Sequence, residues 1–329
     1  MDFHLVAEKF TLRNYLADIP RAELVDTVLA GLKAPQKRIS SLFLYDAVGS
    51  KLFEEITRLP EYYPTRTEKK LLRRFAPILA AESKACNIVE IGSGDCSKIS
   101  ILLGEIPSHR WHAVRYTPVD VSREAIRESA EDLQGKFPGI RIHGIVADFT
   151  RQLHHVPNGR NRLFCFLGGT LGNLSWEQNR QFFEDLGRVM QAEDALLLGV
   201  DMVKPVDILE KAYNDSQGVT AAFNRNILNV INRLVGTDFE PSSFEHLAFF
   251  NQTQSRIEMH LKATREMRIS CPDLQEGIVI QEEETIHTEN SHKYSPQDIE
   301  EFASIGGLQV KDCLTDENRW FSLIHFCKK

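Results

Sequence analysis

The first residues able to do chemistry are glycines and carboxylates at the ends of apolar runs, where a nucleotide-like ligand can be held. Gly92 and Gly94 of EIGSGDCSK follow the run NIVEI, and a missing side chain there lets backbone approach a ligand closely. Asp120 ends VRYTPVD, and its carboxylate can accept both hydroxyls of a ribose. Asp148 and Phe149 end IRIHGIVADF, where a carboxylate and the next backbone group can read an adenine edge. A dinucleotide fingerprint needs a third glycine, whereas Gly94 is followed by Asp, Cys, Ser and Lys. The set suits S-adenosylmethionine better than NAD. A single Asp is more often a solvated strand end, but a glycine turn and then two Asp at three successive strand ends point to a ligand.

LGGTLGNLS ends a fourth run. Gly168 and Gly169 open its backbone, and Asn173 can both donate and accept; a plain helix entry before Ser175 fits the pattern equally well. TIHTENSHKYS reads as a strand with two polar faces. Alternation puts His287, Glu289, Ser291 and Lys293 on one side and Thr288, Asn290, His292 and Tyr294 on the other. By pattern alone that is a solvated edge strand, with Lys293 balancing Glu289. In EYYP, Tyr62 and Tyr63 are packing residues, or one shelters a methylated ammonium by cation–π attraction worth ~0.5–2 kcal/mol. The eleven histidines show no HxxxH or HExxH pairing, so no metal is expected.

The elements around these residues alternate. Apolar strands are expected at 87–92, 114–122, 140–149, 162–169 and 195–203, separated by amphipathic helices such as REAIRESAEDL and the Ser175-capped WEQNRQFFEDLGRVM. That rhythm predicts a parallel, doubly wound α/β sheet. Before it, the first ~65 residues read as helix and loop, and Thr65 with Glu68 forms a capping-box pattern ahead of the stripe Leu71, Leu72, Phe75, Ile78 and Leu79. After Lys204 come helices interrupted near Gly218, an alternating stretch SRIEMHLKATREMRIS, and a closing strand pair expected as an antiparallel edge.

The 329 residues are ordinary globular composition, 42% hydrophobic and 26% charged, long enough for two domains. With 39 basic and 46 acidic side chains the net charge is −7, which disfavours a nucleic-acid surface. Cys86, Cys96, Cys165, Cys271, Cys313 and Cys327 have no zinc spacing and read as reduced cytoplasmic thiols. The N-terminal stretch is too charged for a signal peptide, and no membrane span is expected.

FLYDAVGSKLFEEITRLPEYYPTRTEKKLL, VEIGSGDCSK, FLGGTLGNLS, LLLGVDMVK, AYNDSQGVTAAFNRNIL, RIEMHL and TENSHKYS resemble the histidine-specific, S-adenosylmethionine-dependent Nα-methyltransferases of ergothioneine biosynthesis. The resemblance runs from about residue 10 to the C-terminus; only the GGT and GDCSK loops vary slightly. It implies a Rossmann-like class I methyltransferase sheet over 65–203, completed by 295–329, and a mixed α+β substrate-binding domain from 1–64 plus 204–294. By motif position, Gly92, Lys98, Asp120, Asp148 and Phe149 would hold S-adenosylmethionine. Tyr45, Gly168 and Asn173 would serve catalysis, with Asn173 and Tyr213 on the α-amino and α-carboxylate ends of the substrate. Tyr62 and Met259 would line the pocket, and Glu289 and Ser291 would read the imidazole. A neutral imidazole has one N–H donor and one bare nitrogen, which a carboxylate and a hydroxyl two residues apart can satisfy.

The implied reaction is transfer of three methyl groups to the α-nitrogen of L-histidine, giving hercynine. The alternative is N-methylation of another aromatic amino acid. The expected partner is the small-molecule substrate, with no nucleic acid and no membrane, and a monomer is compatible with the sequence.

Overall fold

The computed structural model describes residues 9–17, 20–82, 87–273 and 277–329. Cys86 and residues 1–8 of the N-terminal stretch read for a signal peptide fall outside these residues. In chain order the strands are β1 (Phe10–Asn14), β2 (Lys37–Arg38), β3 (Asn87–Ile91), β4 (Arg115–Asp120), β5 (Arg141–Val146), β6 (Arg162–Phe166) and β7 (Ala195–Asp201). They continue as β8 (Phe244–Asn251), β9 (Arg256–Ala263), β10 (Met267–Ile269), β11 (Ile278–Ile280), β12 (Thr285–His292), β13 (Leu308–Thr315) and β14 (Phe321–Lys328). The helices are α1 (Arg21–Lys33), α2 (Ala47–Ile56), α3 (Tyr63–Glu82), α4 (Ile99–Gly104), α5 (Arg123–Lys136), α6 (Trp176–Val189), α7 (Val206–Tyr213), α8 (Val219–Val235) and α9 (Pro296–Ile305).

The chain divides into two units: one comprises Met1–Ala17, Pro64–Val203 and Tyr294–Lys329, the other Asp18–Tyr63 and Lys204–Lys293. The first carries one sheet in the order β1-β5-β4-β3-β6-β7-β14-β13. Strands β1 to β7 of this sheet run parallel, and β14 closes it antiparallel to β7, with β13 as the outer hairpin strand. Chain direction across the sheet reverses between β3 and β6, the switch point where open α/β sheets bind ligands. Both sheet faces are apolar. Ile88, Leu163, Cys165 and Leu197 join Leu71, Leu72 and Phe75 on one side. Val89, Phe164, Phe166 and Leu198 join Phe182, Phe183 and Phe302 on the other, where the Phe183 and Phe302 rings stack at 4.5 Å. Burial on both faces is why these strands read as continuous apolar runs. The capping boxes at Ser175/Gln178 and Ser295/Asp298 start α6 and α9.

Three sequence expectations change. FTLRN is a strand, β1, rather than helix or loop, and it places the described residues 9–17 in the first unit rather than with the segment up to 64. It pairs parallel with β5 and buries Phe10 and Leu12 in the first core face, a period-2 pattern too short to stand out. Thr65 caps nothing, because α3 already begins at Tyr63, and Glu68 is wholly buried instead. Of the α3 stripe, Ile78 is exposed while Ala76 is buried.

In the second unit, β2-β12-β9-β8 form a four-stranded sheet and β10-β11 a separate ribbon, so SRIEMHLKATREMRIS is two strands. Helix α8 starts after Gly218, which adopts φ 73°, and buries Phe223, Ile227 and Ile231.

At the start of β6, Arg162 is wholly buried and bonds Asp194 through Nε at 3.0 Å and Nη2 at 2.6 Å. Asp194 also accepts the Arg162 backbone N–H at 2.8 Å. Removing the carboxylate strands a buried guanidinium, so Asp194→Ala should cost about 3–5 kcal/mol in urea unfolding. A loss under about 1 kcal/mol would show that the pair is not holding this end of the sheet.

Candidate active site

In the first unit the candidate residues gather at the carboxyl ends of β3, β4, β5 and β6. Gly92 and Gly94 turn the chain at φ 63° and 44°, and a Cβ built on Gly94 meets nothing within 4 Å, so there is open space above the turn. The Gly94 N–H donates to Asp120 Oδ2 at 3.0 Å and the Ser122 N–H to Oδ1 at 2.9 Å. Burial raises the Asp120 pKa against the lowering effect of these backbone donors. Asp148 Oδ1 accepts from the Thr150 N–H at 2.9 Å and its hydroxyl at 2.6 Å. The Phe149 ring packs edge-on against Phe166 at 5.3 Å. A loop of open space, a fixed ribose-type carboxylate and a second carboxylate one strand further fit S-adenosylmethionine.

At the end of β6, Gly168 has φ 88°, and its N–H donates to Glu68 Oε1 and Oε2 at 2.9 and 3.0 Å. Lys98 Nζ lies 3.3 Å from Glu68 Oε2 and would sit 2.7 Å from any Cβ at position 168. The positive φ favours glycine here, while the Lys98 ammonium, at the end of a flexible side chain, could move aside for a Cβ. Asn173 ends the 3₁₀ turn Thr170–Asn173 and is partly buried. Beneath the glycine turn, the buried Glu90 accepts from the Tyr116 hydroxyl, and burial pushes its pKa up to about 8. Sequence reasoning assigned no role to Glu90 and read Glu68 only as the box residue of a helix cap. A carboxylate inside an apolar run, as in NIVEIG, is the signal for the first; nothing in the sequence marks the second.

The second unit brings Tyr45, Tyr62, Tyr213, Met259, Glu289 and Ser291 together. Tyr45 sits between the Ser40-capped turn Ser41–Leu44 and α2, whose cap Asp46 accepts from Gly49 N–H at 2.8 Å. Asn226 and Arg233 of α8 bond the same Asp46 carboxylate at 2.8 and 2.9 Å, which fixes the turn that carries Tyr45. The Tyr45 hydroxyl donates to Glu289 Oε1 at 3.2 Å. Its ring lies 5.6 Å from both Phe53 and Phe223. Tyr213, the last residue of α7, donates to Ser291 Oγ at 2.7 Å, and the Tyr62 ring meets the Tyr213 ring edge-on at 6.1 Å. Tyr63 is the packing member of EYYP: Lys204 Nζ donates to its hydroxyl at 2.6 Å.

Strand β12 differs from simple alternation. Its ladder with β9 pairs His287 with His260 but Glu289 with Met259, leaving Thr288 as a bulge. Opposed residues share a face, so Glu289 and Ser291 lie with Met259 and Ile257, whereas His287 joins His260 and Glu258 on the reverse face. The expected grouping of His287 with Glu289 is therefore corrected. β2 pairs only with Ile286 and His287, so the stretch holding Glu289 and Ser291 is an edge in the ladder, yet both side chains are buried rather than solvated.

On the reverse face Glu258, His260 and His287 bring possible metal-ligand atoms within 4.8 Å of one another. Arg256 bonds Glu258 Oε1 at 2.9 and 2.7 Å, placing a fixed cation where a metal would need negative charge.

An open parallel sheet with an antiparallel closing hairpin, a glycine turn after its first central strand and acidic ends on the next two is the class I methyltransferase architecture. A family model described as histidine-specific methyltransferase, SAM-dependent, matches residues 24–328. The chain is 39% identical over 316 residues to a histidine N-alpha-methyltransferase of Mycobacterium tuberculosis, covering 96% of this chain and 98% of that one. It is 40% identical over 316 residues to the protein of that name from Mycolicibacterium smegmatis, covering 95% and 98%. It is 28% identical to ergothioneine biosynthesis protein 1 of Neurospora crassa over 83% of this chain and 31% of that one. The chain belongs to the histidine-specific, S-adenosylmethionine-dependent methyltransferase family. Among the described residues no helix is long and apolar enough to cross a membrane.

Burial pushes the Glu289 carboxyl up to about 7, against the lowering influence of Tyr45 and Lys293. The folded chain thus holds this proton more tightly than the unfolded chain. Stability from this group is complete below the unfolded value near ~4.3 and is lost as pH rises toward the folded value. Glu289→Gln, which cannot ionise, should therefore gain in melting temperature over the parent between pH 5 and pH 8. A constant difference across that range in scanning calorimetry would contradict the raised carboxyl.

Proposed function

We propose that the chain transfers methyl groups from S-adenosylmethionine to the α-amino nitrogen of L-histidine, three times in succession, giving hercynine. One observation carries the substrate side of this reading: a buried acceptor and a buried hydroxyl, Glu289 and Ser291, share one face of β12. That pair matches the two unlike nitrogens of a neutral imidazole. In this reading the first unit is the methyl-donor core and the second the substrate-binding domain. Gly92, Lys98, Asp120, Asp148 and Phe149 hold the donor. Met259 and Tyr62 line the imidazole pocket and Asn173 takes the α-amino end, while the Tyr213 hydroxyl, which the resemblance assigns to the α-carboxylate, gives its proton to Ser291 and so serves the imidazole end. Tyr45 braces Glu289, and Gly168 leaves room at the reacting centre.

S-adenosylmethionine supplies a methyl already activated on a sulfonium. What remains for the protein is to fix a neutral amine in line with that methyl, an orientation effect worth up to ~7–11 kcal/mol. The residues named above offer no dedicated base, and the amine proton leaves to water. Methylation ends when the nitrogen has no lone pair. A substrate with an indole side chain is the second reading, and Ser291 weighs against it because an indole has no acceptor nitrogen. By the name of its Neurospora relative, the product belongs to ergothioneine biosynthesis.

Incubation with S-adenosylmethionine and a panel of amino acids should give one, two and three added methyls on histidine alone, read by mass. Methylation of tryptophan in place of histidine would support the second reading. Asp120→Ala should abolish donor binding, while Glu289→Ala should raise the histidine KM by orders of magnitude with donor affinity near the parent's. Unchanged histidine affinity in Glu289→Ala by calorimetry would remove that residue from imidazole recognition.

A further inference from the structure

Lys293 is 2% exposed, just past the end of β12, in a place where periodicity offers only a charge to balance Glu289. Its Nζ donates to Ser291 Oγ at 2.8 Å and to the Tyr213 hydroxyl at 3.1 Å, and lies 4.9 Å from the Tyr213 ring centroid. A hydroxyl has two acceptor lone pairs and one proton. Ser291 Oγ receives the Tyr213 O–H at 2.7 Å as well as the Lys293 N–H, so its acceptor capacity is filled and only its proton is left to give. If the two hydroxyls rotate so that Ser291 donates to Tyr213, the outward proton moves to Tyr213. The ammonium still denies this end of the site an acceptor.

We propose that Lys293 is a specificity-determining positioning residue: it makes the Ser291/Tyr213 end donor-only, so that the site takes the neutral imidazole and rejects the imidazolium. This rests on the proposed histidine reading. The opposite end is an acceptor, since the Glu289 carboxylate, braced by the Tyr45 hydroxyl at 3.2 Å, has no proton to give once ionised. A neutral imidazole satisfies both ends. An imidazolium carries two N–H donors, one of which would face the Ser291 proton, an unpaired buried donor. The groups that face Glu289 are the Tyr45 hydroxyl from the turn before α2, Lys293 just past the end of its own strand and the uncharged Met259 across the ladder. Of these Lys293 alone carries charge, and it favours the ionised carboxylate. Without it, the acceptor end is protonated at higher pH as pH falls.

The experiment titrates L-histidine calorimetrically into the parent, Lys293→Met, Lys293→Gln, Ser291→Ala and the Lys293→Met/Ser291→Ala double variant from pH 6 to pH 9. S-adenosylmethionine affinity is measured alongside. Parent affinity should fall on acidification as the imidazole protonates near ~6.5. Lys293→Met should bind histidine about tenfold more weakly or worse at pH 8, keep donor affinity within about twofold, and begin its acid fall-off at higher pH. Lys293→Gln restores an N–H donor without charge; it should regain part of the affinity yet keep the displaced fall-off, and it stands in should the Met variant fail to fold. At pH 9 the double variant should bind within about twofold of Ser291→Ala, because the lysine acts through that hydroxyl. Parent-like affinity with an undisplaced fall-off in both lysine variants, or additive losses in the double variant, would overturn the inference while leaving the histidine reading intact. A parent that binds no histidine would overturn both.

Discussion

The face proposed to read the substrate depends on the single bulged residue Thr288, because side chains along a strand alternate and one inserted residue reverses every side chain beyond it. With the bulge, Glu289 and Ser291 stand beside Met259; without it they would share the reverse face with His260, Glu258 and Arg256. The bulge is tied down. The Thr288 hydroxyl donates to Asn224 Oδ1 at 2.6 Å and lies 3.0 Å from the Met259 carbonyl, a second acceptor. Asn224 in turn donates to the His260 carbonyl at 2.9 Å, which joins α8 to the β9 strand across from the bulge. α8 also grips Asp46, beside Tyr45, through Asn226 and Arg233. One helix therefore sets both the strand register under Glu289 and the turn that carries its hydrogen-bond donor.

The two units divide the physical burden. In the first, sheet strands are apolar on both faces and supply a large core, so their ends can carry glycine turns and carboxylates at little cost. In the second, Glu289 and Lys293 hold a carboxylate and an ammonium out of water, which is unfavourable unless each is hydrogen-bonded. Tyr45, Tyr213 and Ser291 supply those bonds. The raised Glu289 carboxyl is the residual cost of keeping this carboxyl dry.

Legibility in the sequence follows the same division. The parallel sheet could be read because burial on both faces writes long apolar runs, and because Ser175 marks a helix start with its cap. β1 could not be read, since five residues with only Phe10 and Leu12 buried leave too short a pattern. Glu68 misled, because its three-residue spacing from Thr65 mimics a cap while its partners, Gly168 and Lys98, are set by tertiary structure. On β12, periodicity alone gave a solvated edge strand. Resemblance to a family drew attention to Glu289 and Ser291, and only the ladder showed that His287 faces away from them. A bulge has no sequence signature here, since Thr288 is an ordinary strand residue.

Under the proposed reading, where the grip falls on the substrate bears on how many methyl groups can be added. A site that recognised the α-amino group by its N–H bonds would weaken with every methyl, since each transfer replaces one of those hydrogens. Glu289 and Ser291 instead address a ring that stays unchanged through all rounds, and their hydrogen bonds are as good for the dimethylated amine as for the first. Recognition at the side chain is blind to progress at the nitrogen. The α-nitrogen lone pair must be left pointing at the methyl, so Asn173 can engage the nitrogen only by accepting N–H bonds while hydrogens remain, and the ring grip carries the last round. Specificity for histidine and tolerance of successive methylation are in that sense one design choice: the binding energy is placed where the chemistry does not reach.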